Sequence, residues 1–167
     1  MKYHEAKEKL IQAWGNLGYS WGINKVMAQI HALLLISPKP LTTEDIMSEL
    51  NISRGNANMN IRALLDWGIV HRVSIAGERK EYFKSGKDIW ELARQVARER
   101  RKRELEPILK VLIEVSEIPH ENLDEVREFK KVTKDLRAFG EKSDGLLSTF
   151  ITAKESWFWN TMMKALK

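Results

Sequence analysis

Residues 53–62 read SRGNANMNIR, and this run holds the side chains whose types and spacing point most clearly to a chemistry. An amide presents a donor and an acceptor side by side, the complement of an adenine edge. A guanidinium suits phosphate or guanine. On a helical wheel Ala57, Ile61, Leu64 and Leu65 fall on one side, Gly55, Met59, Arg62 and Asp66 fall opposite, and Asn56 and Asn58 flank them. A merely solvated helix favours Glu, Lys and Ala, because Asn and Gly lower helix propensity. Crowding Gly55, Asn56, Asn58 and Asn60 into two turns therefore calls for a compensating use. Capping accounts for Ser53 but not for three asparagines along the helix. The candidate DNA-contacting set is Ser53, Arg54, Gly55, Asn56, Asn58, Met59 and Arg62. In it the amides read bases and the two arginines take phosphate or guanine. Gly55 permits close approach of the backbone to a phosphate, and Met59 meets a thymine methyl or packs loosely in the core.

A second group follows. Residues 69–75 have the β-branched content of a strand, 76–79 (Ala-Gly-Glu-Arg) read as a turn, and 81–83 read as the returning strand. Arg79 and Lys80 stand at this hairpin tip, where basic side chains enter a minor groove or hold phosphates. Glu78 is placed to orient Arg79, and Arg72 and Lys84 are secondary candidates. Between Thr42 and Lys87 there are seven basic and six acidic residues, so any attractive field depends on placement rather than on total charge. Glu44, Asp45 and Glu49 then have to face away from a polyanion.

The elements that must position these groups are legible in outline. A helix is predicted over residues 2–17, broken by Gly15, Gly18 and Gly22, and a strongly apolar one over 23–37, ended by Pro38 and Pro40. Thr42 or Thr43 caps a short helix with acid in its first turn, Asn51 makes a turn, and Ser53 caps the next helix. A helical stretch spans residues 88–118, with a kink or break expected near 104–106 because Pro107 removes a hydrogen bond. A helix over 122–139 is expected to stop at Gly140, and a last one to begin at Ser143 or Asp144, with an apolar stripe from Leu147 to Leu166. Helix, tight turn, helix and two-stranded basic hairpin is the layout of a winged helix-turn-helix, whose second helix fits a major groove. The expected fold is mainly α: that motif with a two-stranded wing, plus N- and C-terminal dimerisation helices. The expected division is residues 1–22 (N-terminal helix and loop, dimerisation), 23–87 (winged helix-turn-helix) and 88–167 (C-terminal helices, dimerisation or effector region).

Bulk properties narrow the class. A chain of 167 residues with 43% hydrophobic content supports a packed core. A net charge of +5 favours an anionic partner or is simply the charge of a soluble basic protein. The absence of cysteine excludes disulfides and Cys-based zinc sites and points to the cytoplasm. No signal peptide and no membrane-length apolar run is present. His4, His31, His71 and His120 show no metal-ligand spacing, and there is no nucleophile or phosphate-loop motif, so neither an enzyme nor a metal or other cofactor is expected. The run RERRKRE over residues 98–104 reads as a solvated, ion-paired helix face. Six tryptophans are many for this length. Trp14, Trp21 and Trp90 are candidates for an effector cavity, since indole faces attract quaternary ammonium groups, although core packing is the commoner use.

ISRGNANMNIRALLDWGIVHRV with GERKEYF, the upstream WGINKVMAQIHALLLISPKPLTTEDI and the later RKRELEPILKVL resemble the GbsR-type branch of the MarR-like transcriptional regulators, over roughly residues 5–118. The resemblance implies a dimeric winged-helix regulator in which Ser53, Arg54, Gly55, Asn56, Asn58, Met59 and Arg62 match the recognition helix and Arg79 and Lys80 the wing. Some members sense choline and control osmolyte synthesis or uptake. The implied reading is a sequence-specific dimeric DNA-binding regulator, a repressor responding to a small choline- or osmolyte-like ligand. Its partners would be a pseudo-palindromic duplex and a second copy of itself, with no membrane. The competing reading is a winged-helix module that docks protein without reading DNA.

Overall fold

The computed structural model describes residues 1–119 and 123–165. His120, the start expected at residue 122 and Leu166 lie outside the described residues. Residues up to Leu92 form one compact unit, and those from Ala93 form a second.

The first unit is built around α2 (Lys25–Ile36), seven of whose residues are buried. Asn24 caps it, its Oδ1 accepting from the backbone N–H groups of Val26 and Met27 at 2.9 and 3.2 Å. Its C-terminal carbonyls are satisfied by Lys87, whose ammonium donates to Leu34 O (3.0 Å), Leu35 O and Ser37 O (2.8 Å). A cation at that end also complements the helix dipole. Against α2 lies α1 (Tyr3–Ser20). The expected break at Gly15 and Gly18 does not occur: the helix runs through both, and both are buried. A Cβ on Gly18 would sit 2.5 Å from Ala28 Cβ, and one on Gly15 2.6 Å from Gln29 Cγ. These glycines are contact points that let two helices approach, rather than stops.

The helix-turn-helix follows. Strand β1 (Leu41–Thr42) leads directly into α3 (Thr43–Leu50). Thr42 serves both, since its Oγ1 accepts from Asp45 N (3.1 Å) while its own N–H donates to Asp45 Oδ2 (2.8 Å). Asn51 takes the left-handed conformation that ends α3 (φ 50°), and Ser53 caps α4 (Arg54–Asp66) by accepting from Asn56 N. Gly68 (φ 68°) terminates α4 with Ile69 N donating to Leu64 O. The wing strands β2 (Val70–Val73) and β3 (Tyr82–Ser85) pair antiparallel, with Val70 opposite Ser85 and Val73 opposite Tyr82. The two-stranded wing gains β1 as a third strand, paired to β3 through Leu41–Phe83 and Thr42–Tyr82. Ile30, Leu33, Leu34, Ile46, Leu64 and Val70 are fully buried where α2, α3, α4 and the sheet meet. Each such side chain contributes about 1.5–3 kcal/mol by leaving water.

Helix α5 (Ile89–Arg100) passes into a wide π turn (Arg101–Leu105) and then α6 (Glu106–Ser116). The disturbance expected near Pro107 is this turn, because a residue without an N–H cannot continue the i→i−4 ladder. In the second unit α7 (Asp124–Thr152) continues through Gly140 and Asp144, so the expected stop and restart are absent. Gly140 is buried, and a Cβ there would lie 2.7 Å from Leu109 Cδ2. Asp144 accepts from Arg101 Nε and Nη2 at 2.6 and 3.0 Å, tying the π turn to α7. The last element is α8 (Glu155–Ala165), where Phe158 meets Phe150 edge-on at 5.1 Å. Among the described residues no helix is long and apolar enough to cross a membrane.

Candidate nucleic-acid interface

Helix α4 divides sharply between two faces. Ala57, Asn60, Ile61 and Leu64, at three- and four-residue steps, are buried. Arg54, Gly55, Asn58, Met59 and Arg62 are exposed, Met59 at 59%. A Cβ on Gly55 would meet nothing within 4 Å, so the backbone there is open to a ligand.

The three asparagines are not equivalent. Asn60, which composition alone groups with the polar front, is 2% exposed. Its Nδ2 donates to Asn56 O at 2.9 Å and to Asn56 Oδ1 at 2.7 Å. Residue 60 is buried because it stands one turn from Ala57 and Leu64 on the inner stripe. Asn56 is half-buried, and one lone pair of its Oδ1 is already used. Asn58 is exposed, with no such tie to Asn60. Of the expected base-reading amides, Asn56 and Asn58, it is the more exposed.

The acidic residues of α3 are accounted for in place. Asp45 is engaged by Thr42, whose hydrogen bonds hold its carboxyl below the usual range. Glu49 Oε2 pairs with Lys7 Nζ at 2.5 Å. Glu44 Oε1 pairs with Arg54 Nη2 at 2.9 Å. Its own backbone N–H, then the Arg54 guanidinium, keep the Glu44 carboxyl below the ordinary carboxylate value, and the charge of Lys80 acts in the same direction. The start of α4 thus borders the first turn of α3.

At the wing, Gly77 adopts φ 83° and Glu78 N donates to Ile75 O at 3.0 Å, closing the turn. Tyr82 donates its hydroxyl to Glu78 Oε2 at 3.0 Å, which raises the phenol's pKa. Glu78 is expected to orient Arg79, but its hydrogen bond goes to Tyr82, and Arg79 and Lys80 stand exposed beside it. Arg72 lies 3.6 Å from Glu81, and Lys84 is exposed.

Trp14, Trp21 and Trp90 fall on three different segments. Trp14 is half-buried, its ring centroid 6.2 Å from that of His31. Trp21 is 60% exposed just past α1, and Trp90 is half-buried in the first turn of α5. A cleft of about 440 Å³ beside the α1–α2 turn is lined by Tyr19, Gly22, Ile23, Asn24, Lys25 and Val26, not by these indoles. His31 is a core residue: burial pushes its pKa down to about 4, and its Nε2 is 3.3 Å from Ser85 Oγ.

The polar pairings were not legible beforehand. Glu44 looks in sequence like an ordinary acid in a helix's first turn, and Lys87 like a surface lysine after a strand. Only the fold brings Glu44 to Arg54, and Lys87 to the end of α2.

No family model matches this chain. Over 52 residues it is 33% identical to the HTH-type transcriptional regulator MmpR5 of Mycobacterium tuberculosis (strain ATCC 25618 / H37Rv), a stretch covering 31% of this chain and 32% of that protein. The match thus spans about a third of the curated relative. A crystal structure of a transcriptional regulator superposes with a TM-score of 0.58 at 20% identity, covering 86% of this chain and 99% of that one. The fold is a winged helix-turn-helix, mainly helical with a small three-stranded antiparallel sheet.

Proposed function

We propose that this protein is a sequence-specific DNA-binding transcriptional regulator that lays α4 in a major groove and its wing against the flanking backbone. One observation carries the reading: the front of α4, with Gly55, Asn58, Met59 and Arg62, is uncovered, while the residues interleaved with it are buried in the core. A helix with an open amide- and arginine-bearing front has the width and the hydrogen-bonding groups that base edges require. Asn58 reads an adenine, Arg62 and Arg54 take phosphate or guanine, Ser53 caps the helix, Asn56 supports the front, and Arg79 and Lys80 hold the backbone from the wing. The match to a regulator named for its helix-turn-helix supports this assignment.

The regulator acts as a homodimer on a pseudo-palindromic duplex, because one recognition helix reads too few base pairs for specificity. Phe129, Val132, Leu136 and Phe139 recur along α7 and are 42–71% exposed, an apolar stripe suited to burial against another surface. Membership of the GbsR-type branch, repression and release by a choline- or osmolyte-like ligand complete the proposal, and they rest on the sequence resemblance. Intrinsic tryptophan fluorescence during a choline titration tests the effector and its candidate site at Trp14, Trp21 and Trp90, and a flat trace at millimolar ligand removes it.

Selection of duplexes from a random pool by the purified protein, followed by binding at several salt concentrations, tests the main assignment. A recovered consensus whose log affinity falls linearly with log salt supports DNA reading. No enrichment, with no salt-dependent duplex binding, leaves a protein-docking module instead.

A further inference from the structure

Glu44 does no work in the reading just given. It occupies the first turn of α3 and spends its charge on Arg54, the first residue of the recognition helix, at 2.9 Å. Both side chains are open to water, with 62% of Arg54 and 49% of Glu44 exposed. Lys80 at the wing acts electrostatically on the same carboxylate. One basic group available for a duplex backbone, Arg54 of the helix, is already held by an anion of the protein itself. The neighbouring acids are differently used: Asp45 is committed to the Thr42 cap and Glu49 to Lys7. Of these three, Glu44 is the one paired with a basic group of the recognition helix.

We propose that Glu44 is a specificity-determining residue: an internal stand-in for phosphate that occupies Arg54 until a duplex backbone displaces it. The inference rests on the DNA-reading assignment and deepens it. An exposed ion pair holds its partners by a factor of about five at most, so a correctly seated phosphate replaces it readily. Displacement nonetheless leaves a carboxylate beside a polyanion, a cost that falls on every duplex. A duplex whose contacts to Asn58 and Arg62 fix α4 in one register seats a phosphate on Arg54 in full exchange for Glu44, whereas one held by phosphates alone visits many registers and meets the carboxylate without that exchange. Glu44 then lowers sequence-independent binding more than it lowers binding to a true site, which is discrimination by a repulsive element.

The test uses the full chain and two probes, a duplex recovered by selection and a scrambled duplex of equal length. Glu44→Gln preserves the shape of the side chain and removes its charge. The expected result is scrambled-duplex affinity raised about two- to fivefold, with a log–log salt slope steeper by about one and a smaller gain on the selected duplex. In an Arg54→Ala background the same substitution should have a much smaller effect, since its main counterpart is gone. Thermal melts of each variant confirm the folded state at the assay temperature. Equal strengthening on both probes, or weakening of the selected probe because Glu44 orients Arg54 for binding, overturns the inference and leaves the DNA assignment standing. Failure of the unsubstituted protein to bind either duplex removes the assignment and the inference with it.

Discussion

Helix α4 and the basic run at residues 98–104 are both arginine-bearing helical segments, but Arg62 of α4 stands exposed beside a paired Arg54, whereas most arginines of the run are paired. The run is the richer in charge, yet its guanidinium groups are largely consumed. Arg100 pairs with Glu104 at 3.2 Å, Arg103 with Glu99 at 3.0 Å, and Arg101 with both Glu106 and Asp144. On α4 the cations are few, Arg62 is exposed, and the residues around it are small or amide-bearing. Charge density is thus a poor guide to where an anion binds. What matters is whether a cation's hydrogen bonds are already taken and whether the surrounding helix face is shaped for close approach.

Helix α4 presents its front only while the scaffold beneath it is intact, and pH sets when that holds. Folded His31 titrates near 4, against an ordinary 6.5. Between these values the unfolded chain takes up a proton that the folded chain refuses. Stability is therefore full above pH 6.5 and declines as pH falls toward 4, by roughly 3 kcal/mol in all. Urea midpoints measured at about pH 7.5 and about pH 5 should show the decline, and His31→Gln should flatten it within that window. An unchanged slope in the variant would assign the acid sensitivity to other groups.

The next effect is on reading. Asn58→Ala should cost about 1–3 kcal/mol on the selected duplex and little on a scrambled one. Asn56→Ala should cost less, because part of its acceptor capacity is turned inward to Asn60. The reverse order, measured by anisotropy, would move base reading to the half-buried amide. Smaller still, Arg79→Ala at the wing should weaken both duplexes alike and lower the salt slope by about one. Smallest of all, Arg98→Ala and Arg100→Ala in the basic run should leave duplex affinity within about twofold and stability within about 0.5 kcal/mol. A large loss of binding there would reverse the comparison.

Where local chemistry decides structure, the sequence was a good guide. Thr42 and Ser53 act as caps, Asn51 makes its turn, and Pro107 disturbs the long helical stretch. The front and back of α4 separate as the wheel predicts, apart from Asn60. Elsewhere the deciding partner is distant in the chain. Gly15, Gly18 and Gly140 look like helix breakers in isolation. They are contact points because Gln29, Ala28 and Leu109 press on them. Strand β1 is two residues long and exists only through its pairing with β3. Asn60 reads as a polar front residue until the inner stripe claims it. The open surface of the site was legible, since periodicity reports exposure. The pairing of Glu44 with Arg54 was not, since no local rule joins the first turns of two successive helices.

The chain has no cysteine, which permits a direct test of the central claim. A single thiol introduced by Asn58→Cys, or separately by Arg98→Cys, can carry a photoactivated cross-linker while the protein is bound to its selected duplex. The account predicts cross-links to bases within the consensus from position 58 and none above background from position 98. Cross-linking from position 98 with silence at position 58 would contradict it.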